Sequence, residues 1–362
     1  MIELEHIGKR FGDVEAVKSI SLAVAKGEFL SLLGPSGCGK TTTLRIIAGF
    51  EYPSSGQLRI AGRDMTRVPV EKRGLSMVFQ NYALFPHLTV FENVAFGLRL
   101  KQIPKHEVEE RVGKALDLVG LRGYGDRAPR QLSGGQQQRV SLARGLVVNP
   151  SVLLMDEPLS NLDLKLREQL RDEIRSLQRK LGITAVYVTH DQGEAMAMSD
   201  RIAVMHAGRI EQIGQPREVY ERPQTTFVAS FIGHCNLLRG KAEGPGTFRT
   251  AKGLRLRIPA DAGVERGESR LAIRPEALEF DRPETNSAPS DWNRLTGRVT
   301  DVVYLGDVAH VSVVLTGNDG GEAETINATW RIARGQSIPV VGDTVHLLAP
   351  VADCVPVADG AA

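Results

Sequence analysis

Residues 34–41 hold glycine at 34, 37 and 39, Ser36 and Cys38 between them, and Lys40 and Thr41 at the end, with Thr42 following. Glycines let successive backbone N–H groups converge on an anion without Cβ clashes. A helix opening at Lys40 adds the positive end of its dipole to the same place. Lys40 can then reach the β- and γ-phosphates of a nucleotide, and the Thr41 hydroxyl is suited to ligate Mg²⁺. Farther along, Asp156 and Glu157 close the apolar run Val152, Leu153, Leu154, Met155. Carboxylates at a strand's carboxyl end emerge at the edge where α/β sheets bind ligands. Asp156 is placed to hold Mg²⁺ through water, and Glu157 to polarise an attacking water as general base. Between these stretches, Ser133, Gly134, Gly135 and Gln136 have capping-box form, a serine N-cap with glutamine three residues on. Two glycines in a first helical turn cost stability and make better sense where a ligand comes close. One nucleotide needs one phosphate cradle. The second glycine-bearing helix start therefore predicts that two copies of the chain share each nucleotide.

The elements that must position these residues follow from pattern. Residues 28–33 read as a buried strand entering the glycine loop, 40–48 as the helix leaving it, and Gly49 as its C-cap. Residues 151–155 and 184–189 read as two further buried strands. Between them Leu166, Leu170, Ile174, Leu177 and Leu181 recur at helical spacing, with Asp163 as N-cap and Gly182 past the end. Strands and helices alternate in this way over the first ~235 residues, the pattern of an α/β fold with a largely parallel sheet. Beyond them the texture turns glycine-rich and helix-poor. Residues 271–274, 297–315 and 344–348 alternate at strand period, with turns at 305–307 and 317–321, so a small, barrel-like all-β domain is expected from 236 to 362.

At 362 residues the chain exceeds what one hydrophobic core sustains, and two domains are the prior. A hydrophobic fraction of 42% with 24% charged residues is that of an ordinary globular protein. The net charge of +2 leaves no footprint for nucleic acid. Cys38, Cys235 and Cys354 lie far apart and match no disulfide or zinc spacing, which fits a reduced, cytosolic setting. No apolar run approaches the ~18–20 residues that cross a bilayer, so work at a membrane requires another subunit to do the spanning.

In their order along residues 1–235 these stretches resemble the ATP-binding subunit of an ABC transporter. Residues 132–136 match its signature sequence, 34–41 its Walker A motif and 153–157 its Walker B motif. The resemblance makes Gln80 the glutamine that senses Mg²⁺ and the transmembrane partner. It places Asp163 in the D-loop, makes His190 the switch histidine near the γ-phosphate, and makes Phe11 the aromatic that stacks on adenine. An aromatic face can do so without a specific hydrogen-bond pattern. The fold implied is a P-loop NTPase, a RecA-like core with an antiparallel β subdomain and an α-helical subdomain, followed by an OB-like TOBE domain. The cofactors implied are ATP and Mg²⁺. The assembly implied is an ATP-dependent, head-to-tail homodimer in which residues 133–136 of one copy close over ATP held by the other.

Two stretches narrow the resemblance. Residues 81–90, after Gln80, are similar to the surface that receives a permease's coupling helix. Residues 227–233 and the β-rich tail, with patches at 273–276 and 304–307, resemble importer ATPases with a C-terminal TOBE-type domain. Such importers serve polyamines, ferric iron, sugars, sulfate and phosphonates. The wording at 190–196 and 209–214 looks nearest to the polyamine type, with aminoethylphosphonate and ferric-iron types still open. The resemblance implies integral-membrane permease subunits as partners, an extracytoplasmic solute-binding protein reached indirectly, and a peripheral place on the cytoplasmic face of the inner membrane. ABC ATPases of chromosome maintenance carry a long coiled coil between the Walker A and signature motifs, and translation factors carry two ATPase modules. This sequence has neither.

Overall fold

A computed structural model describes residues 1–260, 268–281, 290–317, 322–333 and 337–358, and every count below is of these residues. Two compact units emerge, Met1–Pro216 and Arg217–Ala362.

The first unit runs β1 (Ile2–Phe11), β2 (Val14–Val24), β3 (Phe29–Leu33), α1 (Lys40–Ala48), β4 (Ser55–Ile60), β5 (Arg63–Asp64) and β6 (Ser76–Val78). Then come α2 (Val90–Leu100), α3 (Lys105–Leu118), α4 (Gly134–Leu146), β7 (Val152–Asp156), α5 (Leu164–Leu181), β8 (Thr184–Thr189), α6 (Gln192–Met198), β9 (Arg201–His206) and β10 (Arg209–Gly214). The central sheet has the order β10-β9-β3-β8-β7-β6. Its strands are parallel except β10, which pairs antiparallel with β9.

Both faces of this sheet are covered, which is why its strands are continuous apolar runs rather than alternating ones. Phe29, Met155 and Tyr187 face a core shared with α2, α3, α4 and α5. Leu30, Leu154 and Val186 face the opposite core, built with α1 and the antiparallel sheet β2-β1-β4-β5. Fully burying a side chain such as Leu30 contributes about 1.5–3 kcal/mol. The α5 pattern folds as expected: Asp163 caps its start and Gly182, at φ 62°, takes the left-handed turn at its end. Leu181, though in phase with the apolar stripe, is exposed at the helix end.

In the second unit α7 (Pro216–Glu221) and α8 (Thr226–Phe231) precede β11 (Asn236–Gly244), β12 (Thr247–Thr250), β13 (Arg255–Arg257), β14 (Glu268–Ile273) and β15 (Glu279–Phe280). The chain continues with β16 (Trp292–Tyr304), β17 (Val308–Thr316), β18 (Glu322–Arg331), β19 (Thr344–Pro350) and β20 (Val355–Val357). Two five-stranded antiparallel sheets, β13-β12-β11-β14-β20 and β15-β19-β16-β17-β18, share one core in which Phe248 and Leu271 meet Val311, Ile326 and Leu347. The domain is all-β apart from its short helices. Residues 318–321 of the turn expected at 317–321 lie outside the described residues.

The compact units part between Pro216 and Arg217, ahead of the change in texture near 235. Arg274 supplies the reason. Its buried guanidinium donates to the carbonyls of Ala229, Ile232 and His234 at 3.1, 2.6 and 3.0 Å, and to that of Tyr220 at 2.8 Å. A charged donor satisfying four carbonyls ties the 220–234 segment to the β unit. No helix among the described residues is long and apolar enough to cross a membrane.

Candidate functional site

The glycine loop leaves β3 and ends at Gly39, which caps α1 with φ 104° and offers it no side chain. In α2, α4, α5 and α6, by contrast, the caps Thr89, Ser133, Asp163 and Asp191 satisfy an amide of the first turn. The first amides of α1 are thus left for an anion. A Cβ built on Gly39 would lie 2.6 Å from the Ala16 carbonyl oxygen, and one on Gly34 would lie 2.2 Å from that of Met205, so close backbone approach demands both glycines. At Gly37 space is open and the φ of 80° makes the demand. Lys40 is 5% exposed, and its Nζ donates to the carbonyls of Gly34 at 2.7 Å and Pro35 at 2.9 Å. This buried ammonium beside uncapped amides fits a polyphosphate. Burial pushes the Cys38 thiol up, outweighing the lowering effect of Lys40 nearby, so Cys38 stays a protonated packing residue at neutral pH.

Thr41 donates its hydroxyl proton to Asp156 Oδ1 at 3.0 Å, across from α1 to the end of β7. Desolvation raises the Asp156 carboxyl, more than the Thr41 hydrogen bond lowers it. Among the described residues no group of three or more His, Cys, Asp or Glu could hold a metal by itself. Two hard oxygens without a full protein cage suit Mg²⁺, which keeps waters and takes phosphate oxygens to complete its octahedron.

Glu157 occupies the left-handed region at φ 44°, a conformation that costs a non-glycine residue of order 1 kcal/mol or more. Its N–H donates to the Val188 carbonyl at 3.0 Å, which holds the turn. The carboxylate lies 3.1 Å from His190 Nδ1, joining the ends of β7 and β8. Gln80 follows β6 on the same sheet edge. Its Nε2 donates to Ser160 Oγ at 3.3 Å, and Ser160 in turn donates to the Glu157 carbonyl at 3.0 Å. Phe11 ends β1, 46% exposed as a residue, with Lys9 Nζ 4.7 Å from its ring centroid. The β1–β2 hairpin meets the phosphate loop through Ala16.

Ser133, Gly134, Gly135 and Gln136 form the expected capping box at the start of α4. Gly135 is buried, and a Cβ there would lie 2.7 Å from Leu166 Cδ2 of α5, the end of a half-buried side chain that has to shift to make room. Gly134 is exposed, and a Cβ there would stand 3.4 Å from Leu162, an ordinary contact. The bare backbone open to an approaching ligand is therefore that of Gly134. The Asp163 carboxylate accepts from the Leu166 amide at 3.0 Å, so its first role is to cap α5.

The fold thus gathers the loop 34–42, Asp156, Glu157, His190 and Gln80 at one edge of the parallel sheet, with Phe11 on the flanking hairpin. Residues 133–136 belong instead to the helical layer, where Gln136 Nε2 reaches Tyr124 Oη at 3.5 Å. Sequence reasoning gave Ser160, in the D-loop stretch that ends at Asp163, no role of its own, though it links Gln80 to Glu157, and it passed over Arg167, which bonds Asp191 beside His190. The only signal for Arg167 was its place one helical turn after Asp163.

Comparison with known proteins agrees with this geometry. A family model described as ABC transporter matches residues 17–160, and one described as TOBE domain matches residues 271–357. The chain is 54% identical over 325 residues to the spermidine/putrescine import ATP-binding protein PotA of Acidothermus cellulolyticus, covering 86% of this chain and 84% of that one. It is 49% identical over 310 residues to the Fe(3+) ions import ATP-binding protein FbpC of Brucella abortus, covering 84% and 85%. Among solved structures, the dimeric post-hydrolysis state of the ATP-binding cassette MJ0796 bound to ADP and Pi matches with a TM-score of 0.54 and 33% identity, covering 60% of this chain and 99% of that one.

Proposed function

This chain belongs to the ABC transporter family as an importer-type ATP hydrolase, and we propose that it is the paired, membrane-docked motor of a polyamine uptake system. The observation that carries the paired motor is the division of the site. The phosphate loop, Asp156, Glu157 and His190 sit at the sheet edge, while the glycine-bearing cap at Ser133 and Gly134 belongs to the helical layer. In the proposed homodimer, Ser133, Gly134, Gly135, Gln136 and Asp163 of one copy face the nucleotide held by its partner. Nucleotide then joins two unlike faces, and a closed two-fold dimer satisfies both sites at once.

Within one copy, Phe11 stacks on the adenine. The amides of residues 36–42 and the Lys40 ammonium bind the phosphates. Thr41, Asp156 and Gln80 are the residues that would hold Mg²⁺, which supplies charge neutralisation at the β- and γ-phosphate oxygens when bound. Glu157 accepts a proton from the attacking water through its carboxylate. His190, hydrogen-bonded to that carboxylate, orients it and faces the γ-phosphate. Hydrolysis breaks the bond between the β- and γ-phosphates, and release of the phosphate then removes the charge that bridges the copies, so the interface opens.

Permease subunits receive this motion at residues 81–90, with an extracytoplasmic solute-binding protein delivering cargo to them. The chain itself is peripheral on the cytoplasmic face of the membrane. Polyamine cargo is supported by the PotA relative at 54% identity. Ferric ion is the second reading, supported by the FbpC relative at 49%. Uptake of labelled putrescine and of labelled Fe(III) in cells lacking this chain separates them. Glu157→Gln tests the site: ATP binding should persist, turnover should fall at least about a hundredfold, and the dimer should accumulate with ATP. Normal hydrolysis by that variant would remove Glu157 as the base.

A further inference from the structure

One guanidinium bonds both the turn that leads into α5 and the residue that follows His190. Arg167, in the first turn of α5, donates from Nη2 to the Leu162 carbonyl at 3.0 Å and from Nη1 to Asp191 Oδ2 at 3.3 Å. Its Nε is buried, makes no hydrogen bond, and lies 3.9 Å from Glu194 Oε1. Asp191 follows His190 directly and caps α6, accepting from the Glu194 amide at 2.9 Å. On the other side of His190, Thr189 Oγ1 accepts from the Asp191 amide at 2.9 Å and donates to the buried Glu194 carboxylate at 2.7 Å. Tyr187, fully buried in β8, donates to that carboxylate at 2.6 Å.

Both neighbours of His190 are thus held by a connected polar network, while the imidazole projects from it with 55% of its side chain exposed and bonds Glu157 Oε2. Such networks orient a group through its stem rather than its tip. Arg167 extends the network to the segment of residues 162–163 that leads into α5.

We propose that Arg167 is a positioning residue for ATP hydrolysis, holding Asp191 and the 162–163 segment in one register so that His190 stays on Glu157. The proposal rests on the roles given above to Glu157 and His190. A segment that faces the second copy is thereby coupled mechanically to the imidazole, and a shift of residues 162–163 reaches His190 through one side chain. Losing that register by about an ångström costs on the order of tenfold to a hundredfold in rate.

The test uses the full-length protein and its ATPase kinetics. Arg167→Ala should lower kcat about tenfold or more while KM for ATP moves less than about threefold. On a His190→Ala background the same substitution should change the single-turnover rate less than about twofold, since Arg167 acts through His190. Arg167→Lys keeps the charge but cannot span Leu162 and Asp191 together. It should fall between wild type and Arg167→Ala, and it serves alone if Arg167→Ala does not fold. An unchanged kcat, or an equal loss with and without His190, overturns the proposal and leaves Arg167 a fold-stabilising contact. Glu157→Gln is run alongside. Full activity there defeats the underlying reading of the site, whereas an inert Glu157→Gln with a normal Arg167→Ala defeats only the role of Arg167.

Discussion

Asp156 carries a charge that its surroundings do not favour. Burial raises its carboxyl, so the fold prefers the neutral form. The stability linked to this group is fully present below the ordinary carboxylate range and is lost as pH rises through the raised folded value. At neutral pH the ionised side chain therefore weakens the protein until a divalent cation compensates it. Asp156→Asn keeps an acceptor for the Thr41 hydroxyl and removes the charge. In calorimetry without Mg²⁺ or nucleotide, the variant should melt above wild type at neutral pH, and the gap should close on acidification. Adding ATP with Mg²⁺ should raise the wild-type Tm and leave that of the variant almost unmoved. Lys40 places a buried cation on two carbonyls beside amides that no side chain caps.

At the scale of elements, the start of α4 is shaped by two different demands on adjacent glycines. Gly135 is buried under Leu166, and Gly134 is exposed, where a Cβ would make only ordinary contacts with Leu162 and Tyr82. Gly135→Ala should lose no more than about 1 kcal/mol in urea denaturation, because the half-buried Leu166 side chain it meets can shift. Leu166→Ala should restore part of it, because the clash is with that side chain. Gly134→Ala should be neutral or slightly stabilising, since alanine is the better helix former. Any loss of ATP hydrolysis in that variant reports on the ligand-facing role. Sequence reasoning attributed both glycines to ligand approach, because the partner of Gly135 lies 31 residues away on α5 and becomes its neighbour only on folding. The α5 helix itself was legible, cap and terminus included, because N-cap, apolar period and C-terminal glycine are all local signals.

For the whole molecule, two consequences follow from how the chain divides. Arg274→Ala strips a buried donor from four carbonyls, at about 3 kcal/mol in all. Calorimetry of the full chain should show the transition of the Arg217–Ala362 unit shifted down by several degrees and that of Met1–Pro216 unmoved. The second consequence concerns pairing. Lys40→Ala removes the phosphate half of the site and Gly134→Asp blocks the facing half. Each variant alone should hydrolyse almost no ATP. A mixed dimer carries one fully intact composite site, so mixing the two proteins should recover a measurable fraction of wild-type turnover. Recovery absent under conditions where mixed dimers form would remove the shared-site arrangement.

By itself the sequence determined the chemistry. The glycine loop with Lys40 and Thr41, the strand-ending Asp156 and Glu157, and the Ser133 cap are short-range patterns whose meaning lies in a few consecutive residues. The central parallel sheet was legible for a similar reason, since strands covered on both faces must be apolar throughout. Only the tertiary structure decided which of these pieces meet. It put Thr41 on Asp156 and His190 on Glu157, left the Ser133 cap in the helical layer, and brought Arg167 to Asp191. It also tied residues 220–234 to the β unit through one buried arginine. Those pairings join residues tens to more than a hundred positions apart. Their partners are set by the packing of whole elements against a shared sheet, which no local pattern of residues encodes.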